Sequence, residues 1–268
     1  MHLSSLHVYP LKSARGISVD SVELDDFGPV LDRRWMLVGP DRVVVTQREA
    51  HRLALVQVDI ADGELQLAAP GAGRLEVGQG GATSPLVEVE IWDDRCRARD
   101  LGDDAARWFS GFLGQPVRLV FMPAETFRPV DSNHVDQPRR VSFADGFPLL
   151  LIGDGSLAEL NRRLARPVPM NRFRPNLVLA GTEPFAEDGW ASVQVGSVVF
   201  DVVKPCARCV VTTIDQQTAE PGGEPLRTLA TFRRRENGVH FGQNLLHRAP
   251  GRIRVGDPAV AVLRSPSY

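Results

Sequence analysis

Short apolar or alternating runs recur along the chain at 42–46, 53–60, 64–68, 86–92, 117–121, 177–180 and 198–203, separated by Gly-, Asp- and Pro-rich turns. That texture predicts many short strands, as in barrels and sandwiches. Two stretches change period. From Asp103 onward, Ala105, Trp108, Phe109, Phe112 and Leu113 repeat at the spacing of one helical face. Further on, Ser156 and Glu159 form a capping-box pattern ahead of Leu157, Leu160 and Leu164, and Pro167 stops that helix. Residues 122–142 are polar, contain proline and lack periodicity, which marks a linker or crossover between domains. The expected fold class is mainly β with a few helices (α+β).

Composition narrows the picture. A chain of 268 residues suffices for one large domain or two ordinary ones. Its net charge of −2 gives no electrostatic case for nucleic acid or an anionic membrane as a main partner. Three cysteines do not make a disulfide framework, and no apolar run reaches the 18 residues of a membrane span. No secretory leader pattern precedes the first strand-like stretch, so a cytoplasmic protein is expected. The run Arg233-Arg234-Arg235 reads as a solvated face, and Cys96, in a charged strand edge, as a bystander.

Two of the three cysteines fall in Lys204-Pro-Cys206-Ala-Arg208-Cys209, followed by Val210, Val211, Thr212, Thr213, Ile214 and Asp215. A thiolate is a soft metal ligand, and a nearby guanidinium lowers the cost of ionising a thiol. A structural zinc site needs four ligands, and no second cysteine pair exists. A redox pair belongs where a strand meets a helix, whereas Val210 to Ile214 favour extended chain, so the pair is expected to open a strand. From spacing alone, metal ligation, thiol reactivity and two small buried residues all stay open.

This segment resembles the signature of the molybdenum cofactor sulfurase C-terminal (MOSC) family. Val8-Tyr9-Pro10-Leu11-Lys12-Ser13 with Gly16, Asp32-Arg33-Arg34-Trp35, Thr46-Gln47-Arg48, Asn171 to Asn176 and Phe241-Gly242-Gln243-Asn244 are similar, in order and spacing, to the two-domain group that includes the mitochondrial amidoxime-reducing component. The resemblance implies an N-terminal β-barrel domain over 1–122 and a β-barrel MOSC domain over 123–268. It also implies a molybdenum–molybdopterin cofactor, with Cys209 as the thiolate ligand to the metal and Cys206 beside it or packing.

By the same similarity, Lys12, Ser13 and Arg33 hold the cofactor's phosphate, while Arg174 and Asn176 meet the pterin. Arg208 orients the cofactor or stabilises the thiolate. Asn244 occupies a position where relatives often carry an aromatic contact. Asp145, in Phe143-Ala144-Asp145-Gly146, matches an active-site aspartate able to relay protons, or is a turn residue before glycine.

The activity implied is two-electron reduction of N-hydroxylated substrates such as amidoximes, hydroxylamines and N-hydroxy bases. Without a ferredoxin cysteine pattern in the chain, electrons are expected from a separate protein, a flavin reductase with a ferredoxin or b-type cytochrome. The alternative is a cofactor carrier or sulfur-transfer protein with no turnover. For that alternative sulfur is expected to come from elsewhere, since these 268 residues hold no pyridoxal-phosphate desulfurase domain.

Overall fold

The structure is a computed structural model that describes residues 1–135, 137–235 and 238–265. Strands dominate, and the described residues include three α-helices, α1 (Asp103–Leu113), α2 (Asp154–Arg163) and α3 (Leu226–Phe232). The expected mainly-β, α+β class is the one observed.

The largest sheet has nine strands. Its path runs through Ile17–Ser18, His2–Val8, Leu177–Ala180, Leu149–Gly153, Gly238–His247, Val198–Ala207, Trp190–Val195 and Ala259–Leu263, with Arg234–Arg235 paired to the fifth of these. All its pairings are antiparallel except that of Leu149–Gly153 with Leu177–Ala180. A five-stranded sheet combines Leu86–Ile91, Asp94–Asp100, Arg118–Phe121, Trp35–Val38 and Val44–Val45.

The first strand belongs to the large sheet. His2 pairs with Ala180 and Leu6 with Leu177, so the N-terminal and C-terminal halves of the chain share one hydrogen-bonded surface. The chain then turns at Tyr9-Pro10 and crosses to the second sheet, where Lys12 N donates to Trp35 O at 2.8 Å. This crossing brings the chain from one sheet to the other at the place where the functional residues gather.

Alternation along the strands fills the core. Leu3, Leu6, Leu149, Leu151, Leu177, Leu179, Phe200 and Leu245 are buried together on one face of the large sheet. Trp35, Leu37, Leu53, Leu119 and the α1 residues Ala105, Phe109 and Phe112 make a second core. Each such large apolar side chain contributes about 1.5–3 kcal/mol on burial. The predicted apolar face of α1 is the buried one.

Several expectations need correcting. The helix read from Ser156 starts earlier, at Asp154, and Ser156 is no cap. Its hydroxyl instead donates to the buried Glu187 carboxylate at 2.7 Å, a partner 31 residues away. Glu159 pairs with Arg162 and Arg163 one turn on. The run 53–60 divides into a 3₁₀ turn over His51–Leu55 and a strand over Gln57–Ala61.

The stretch after the cysteines is also not a strand. The strand ends at Ala207, and Val210–Thr213 form a 3₁₀ turn. Thr212 Oγ1 donates to Cys209 O at 2.9 Å and Thr213 Oγ1 to Val210 O at 2.7 Å. These local hydroxyl bonds override the β preference of the Val-Val-Thr-Thr run. The pair therefore closes a strand, with Cys206 within it and Cys209 capping the following turn.

Candidate functional site

One cavity is lined by Lys12, Ser13, Arg33, Asp145, Arg174, Asn176, Arg208, Cys209 and Asn244. These residues come from both halves of the chain, and Cys206, Arg48, Trp92 and Phe147 join them. Five cationic side chains (Lys12, Arg33, Arg48, Arg174, Arg208) face one carboxylate in this lining. The surplus of positive charge suits an anionic ligand.

Left-handed backbone aims three of these groups. Ser13, Arg33 and Arg174 have φ of 68°, 48° and 55°. Strain of this kind in non-glycine residues persists where the surroundings over-determine it, and it clusters at ligand sites. Here the surroundings include Tyr9, whose ring lies 4.4 Å from both the Arg33 and the Arg174 guanidinium carbons. The Tyr9 hydroxyl donates to Pro175 O at 3.0 Å, and burial pushes its pKa up to about 12 despite both arginines. Gly16 packs against this ring so closely that a Cβ there would overlap it.

Arg33 donates to Asp32 Oδ2 at 2.5 Å and to Asn176 Oδ1 at 3.0 Å. Asn176 is buried, and its amide is fully used: Oδ1 also accepts from Leu150 N at 3.1 Å, while Nδ2 donates to His7 O and Asp32 Oδ1, each at 3.1 Å. Its observed work is therefore to fix Arg33 and Asp32. Arg174 Nη1 donates to Ala14 O at 2.6 Å, and burial lowers its pKa to about 10. Asn244 Nδ2 donates to Lys204 O at 3.2 Å between two strands of the large sheet.

Lys12 is 5% exposed and its ammonium donates to Phe143 O at 2.8 Å and Asp145 Oδ1 at 2.6 Å. Burial lowers the Lys12 pKa, and Asp145 only partly offsets this. Burial alone would raise the Asp145 carboxyl. The Lys12 charge and hydrogen bond, with Arg33 and Arg48 behind them, outweigh it and hold the carboxyl below the usual carboxylate range. The Asp145 side chain is 77% exposed, and it still feels these cations because the Lys12 ammonium lies only 2.6 Å away.

The cysteines divide their roles. Arg208 Nη1 reaches Cys206 Sγ at 2.9 Å and its Nη2 donates to Phe173 O at 2.7 Å. The guanidinium thus acts on Cys206, whose pKa burial nonetheless raises. Cys209 Sγ has no hydrogen-bond partner among the described residues and opens into the cavity. Cys96 lies apart, buried on a strand of the second sheet, with a pKa pushed up to about 11 by burial.

Three supporting residues were not identified from the sequence. Arg128, in the polar 122–142 stretch, is 2% exposed. It pairs with Asp94 at 2.8 Å and donates to the carbonyls of Ser142, Ala144 and Asp145 at 2.8, 2.6 and 3.0 Å, which fixes the backbone beneath Asp145. Gln47 donates to Ser13 O at 2.5 Å. Arg172 donates to Thr212 O at 2.9 Å and holds the turn that carries Cys209. Each partner is far off in sequence, and only the family-like blocks around Gln47 and Arg172 gave any signal.

Two further features test whether an anionic, metal-bearing cofactor fits. Arg208 Nε and Trp92 Nε1 are buried donors with no partner among the described residues, and both residues line the cavity. One partner-free thiol among cationic donors and orphaned N–H groups is a set able to hold a thiolate-ligated metal on a phosphorylated organic group.

Comparison with known proteins agrees with this architecture. Residues 1–116 match the MOSC N-terminal beta barrel domain and 138–260 the MOSC domain, which defines a two-domain MOSC protein. Mitochondrial amidoxime-reducing component 1 of Mus musculus is 35% identical, the alignment covering 96% of this chain and 81% of that protein. Mitochondrial amidoxime reducing component 2 of Rattus norvegicus is 34% identical over 96% and 82%. The chain belongs to this family of two-domain MOSC proteins. The molybdenum cofactor sulfurase of Oryza sativa subsp. japonica is 31% identical over 90% of this chain but only 32% of that protein.

Proposed function

We infer that the cavity binds a molybdenum–molybdopterin cofactor with Cys209 as its protein thiolate ligand, and that the protein reduces N-hydroxylated compounds. The observation that carries this reading is the convergence of Cys209 with Lys12, Ser13, Arg33, Arg174 and Arg208 in one cavity built from both halves of the chain. The names of the rodent relatives supply the substrate class, amidoximes foremost.

When bound, the cofactor supplies two-electron chemistry at a substrate N–O bond. The overall change is cleavage of that bond with uptake of two electrons and two protons and release of water. Lys12, Ser13 and Arg33 would take the phosphate, a task suited to an ammonium, a hydroxyl and a planar guanidinium. Asn176 acts behind them by holding Arg33, and Arg174 and Arg208 remain as donors toward the pterin. Asp145 starts as an ionised acceptor of Lys12, so its proton handling depends on release from that ammonium. Electrons would come from a separate redox protein, and a cytoplasmic setting would keep the Cys209 thiol reduced.

The test is molybdenum content of protein from a cofactor-producing host, for wild type beside Cys209→Ala. One metal per chain, lost in the variant, followed by amidoxime reduction with an artificial electron donor, is the expected result. Wild type without metal would overturn the reading. The similarity to a cofactor sulfurase supports a second possibility, a carrier or sulfur-transfer protein. Metal that is bound but exchanges freely, with no substrate reduced, would favour it.

A further inference from the structure

The geometry points to Asp145 as the resident counter-anion of the phosphate subsite: its carboxylate occupies Lys12, and an incoming phosphate dianion displaces it into the cavity. This rests on the phosphate role proposed above for Lys12 and goes beyond it, because it assigns the aspartate a competing position and a movement.

Lys12 has little left to give. Its ammonium donates to Phe143 O and Asp145 Oδ1 at 2.8 and 2.6 Å and lies 5.3 Å from the centre of the Trp92 ring. Its side chain is 6% exposed, so a ligand reaches the ammonium only by taking over one of these contacts. Phe143 O is backbone, and the segment that carries it is tied down: Phe143 N donates to Arg33 O at 2.9 Å, and Arg128 grips the carbonyls on either side. Trp92 belongs to the wall. Asp145 is the contact that can yield.

The Asp145 side chain is 77% exposed, and the hydrogen bond from Lys12 is its only one among the described residues. Its backbone need not follow, since Arg128 Nη2 holds Asp145 O at 3.0 Å. A turn about the side-chain bonds is enough, and the neighbouring Gly146 has open space around it. Arg33 and Arg48 also act on the carboxylate, which places it where several cations converge.

Exchange of this kind selects by charge. A phosphate dianion brings more charge and more acceptor oxygens than the carboxylate it replaces, whereas acetate brings nothing better. The swap also links two events: occupation of Lys12 by phosphate frees Asp145, the one carboxylate among the described residues of the cavity lining, for proton transfer. The ionic contact that occupies Lys12 in the empty site is thus the same one that keeps Asp145 from acting before a ligand arrives.

The experiment is calorimetric titration of the full chain, prepared in a host unable to make molybdopterin, with inorganic phosphate at low ionic strength. Wild type is compared with Asp145→Asn, Asp145→Ser and Lys12→Met, and acetate serves as a monoanion control. Loss of the competing charge-assisted bond should tighten phosphate binding about tenfold or more in both Asp145 variants. Lys12→Met should abolish binding, and acetate should not bind measurably. Equal or weaker phosphate binding by the Asp145 variants would overturn the competition while leaving Lys12 as a phosphate ligand. Absence of binding by wild type and by both Asp145 variants would overturn the competition and the phosphate role together. Asp145 is exposed, and agreement between the amide and hydroxyl variants separates removal of charge from a local packing effect.

Discussion

Gln47 and Gln216 exchange amide hydrogen bonds across 169 residues of chain, Gln47 Nε2 donating at 3.3 Å and Gln216 Nε2 at 3.1 Å. Gln47 also holds Ser13 O, and Gln216 sits just beyond the turn that carries Cys209. The buried pair therefore ties the phosphate-side loop to the metal-side loop. Neither loop is part of a shared sheet at this point, so the amides are a direct link between them.

Replacing only one glutamine with leucine leaves the other amide's Oε1 buried without its donor, while its Nε2 keeps Ser13 O or Ile214 O, at a cost of about 1–3 kcal/mol. The double replacement should recover part of that loss, with a coupling of about 0.5–3 kcal/mol in a urea-denaturation cycle. Additive single effects would show that the two loops are held together by other contacts.

Arg128 gives a sharper test of how Asp145 is positioned. Its planar fork serves Asp94 and the carbonyls of Ser142, Ala144 and Asp145 at once, which an ammonium on a flexible stem cannot reproduce. Arg128→Lys should therefore lose about 2–3 kcal/mol despite keeping the charge, measured by the urea midpoint. A lysine variant as stable as wild type would mean that charge alone holds the 142–145 segment.

The two site cysteines should respond differently to alkylation at pH 8. Cys206 is engaged by Arg208 and has a pKa raised by burial, and Cys96 is buried with a pKa near 11. Cys209 opens into the cavity without a partner among the described residues. Mass spectrometry of cofactor-free protein should find label on Cys209 and little on Cys206 or Cys96. Preferential labelling of Cys206 would reverse the roles assigned to the pair.

How much of this was legible beforehand depends on how far apart the cooperating residues lie. Phe109 and Phe112 announced α1 because helical period is a local property, and the alternation of apolar residues announced strands for the same reason. Lys12, Arg33, Arg174 and Cys209 were readable as a set only through resemblance, since spacing says nothing about residues from different sheets. Arg208 is the instructive case. Its place between the cysteines suggested help for a metal-binding thiolate, but the folded backbone turns it onto Cys206 and Phe173 O. Arg128 was invisible, and Gln47, although it stands in a family-like block, gave no hint of Gln216, because the meaning of each lies in partners brought by the fold.

Gly16 tests the Tyr9 ring that both arginines contact. An added Cβ would run into the Tyr9 ring, against which Arg33 and Arg174 both stack. Gly16→Ala should cost about 1–3 kcal/mol through overpacking. It should also weaken phosphate binding, because Tyr9 cannot move without disturbing Arg33. Stability lost with phosphate affinity unchanged would confine the role of the ring to packing.

The pH dependence of stability has a defined sign at His247. The residue is 2% exposed, and burial, helped by the Arg139 charge, lowers its pKa below the ordinary 6.5, with Asp25 and Asp26 opposing. A lowered base is neutral in the fold, while the unfolded chain binds the proton more readily. Stability is therefore full above pH 6.5, falls as pH drops from there towards the folded pKa, and levels off below it. Its slope from this one group is at most about 1.4 kcal/mol per pH unit. Glu187 acts in the opposite direction nearer the carboxylate range, because burial raises its pKa. The informative quantity is thus the difference between wild type and His247→Gln in urea midpoints from pH 5 to 7.5. The wild-type curve should fall more steeply below pH 6.5 than the variant's, and parallel curves would show that His247 takes up its proton as readily in the fold as in the unfolded chain.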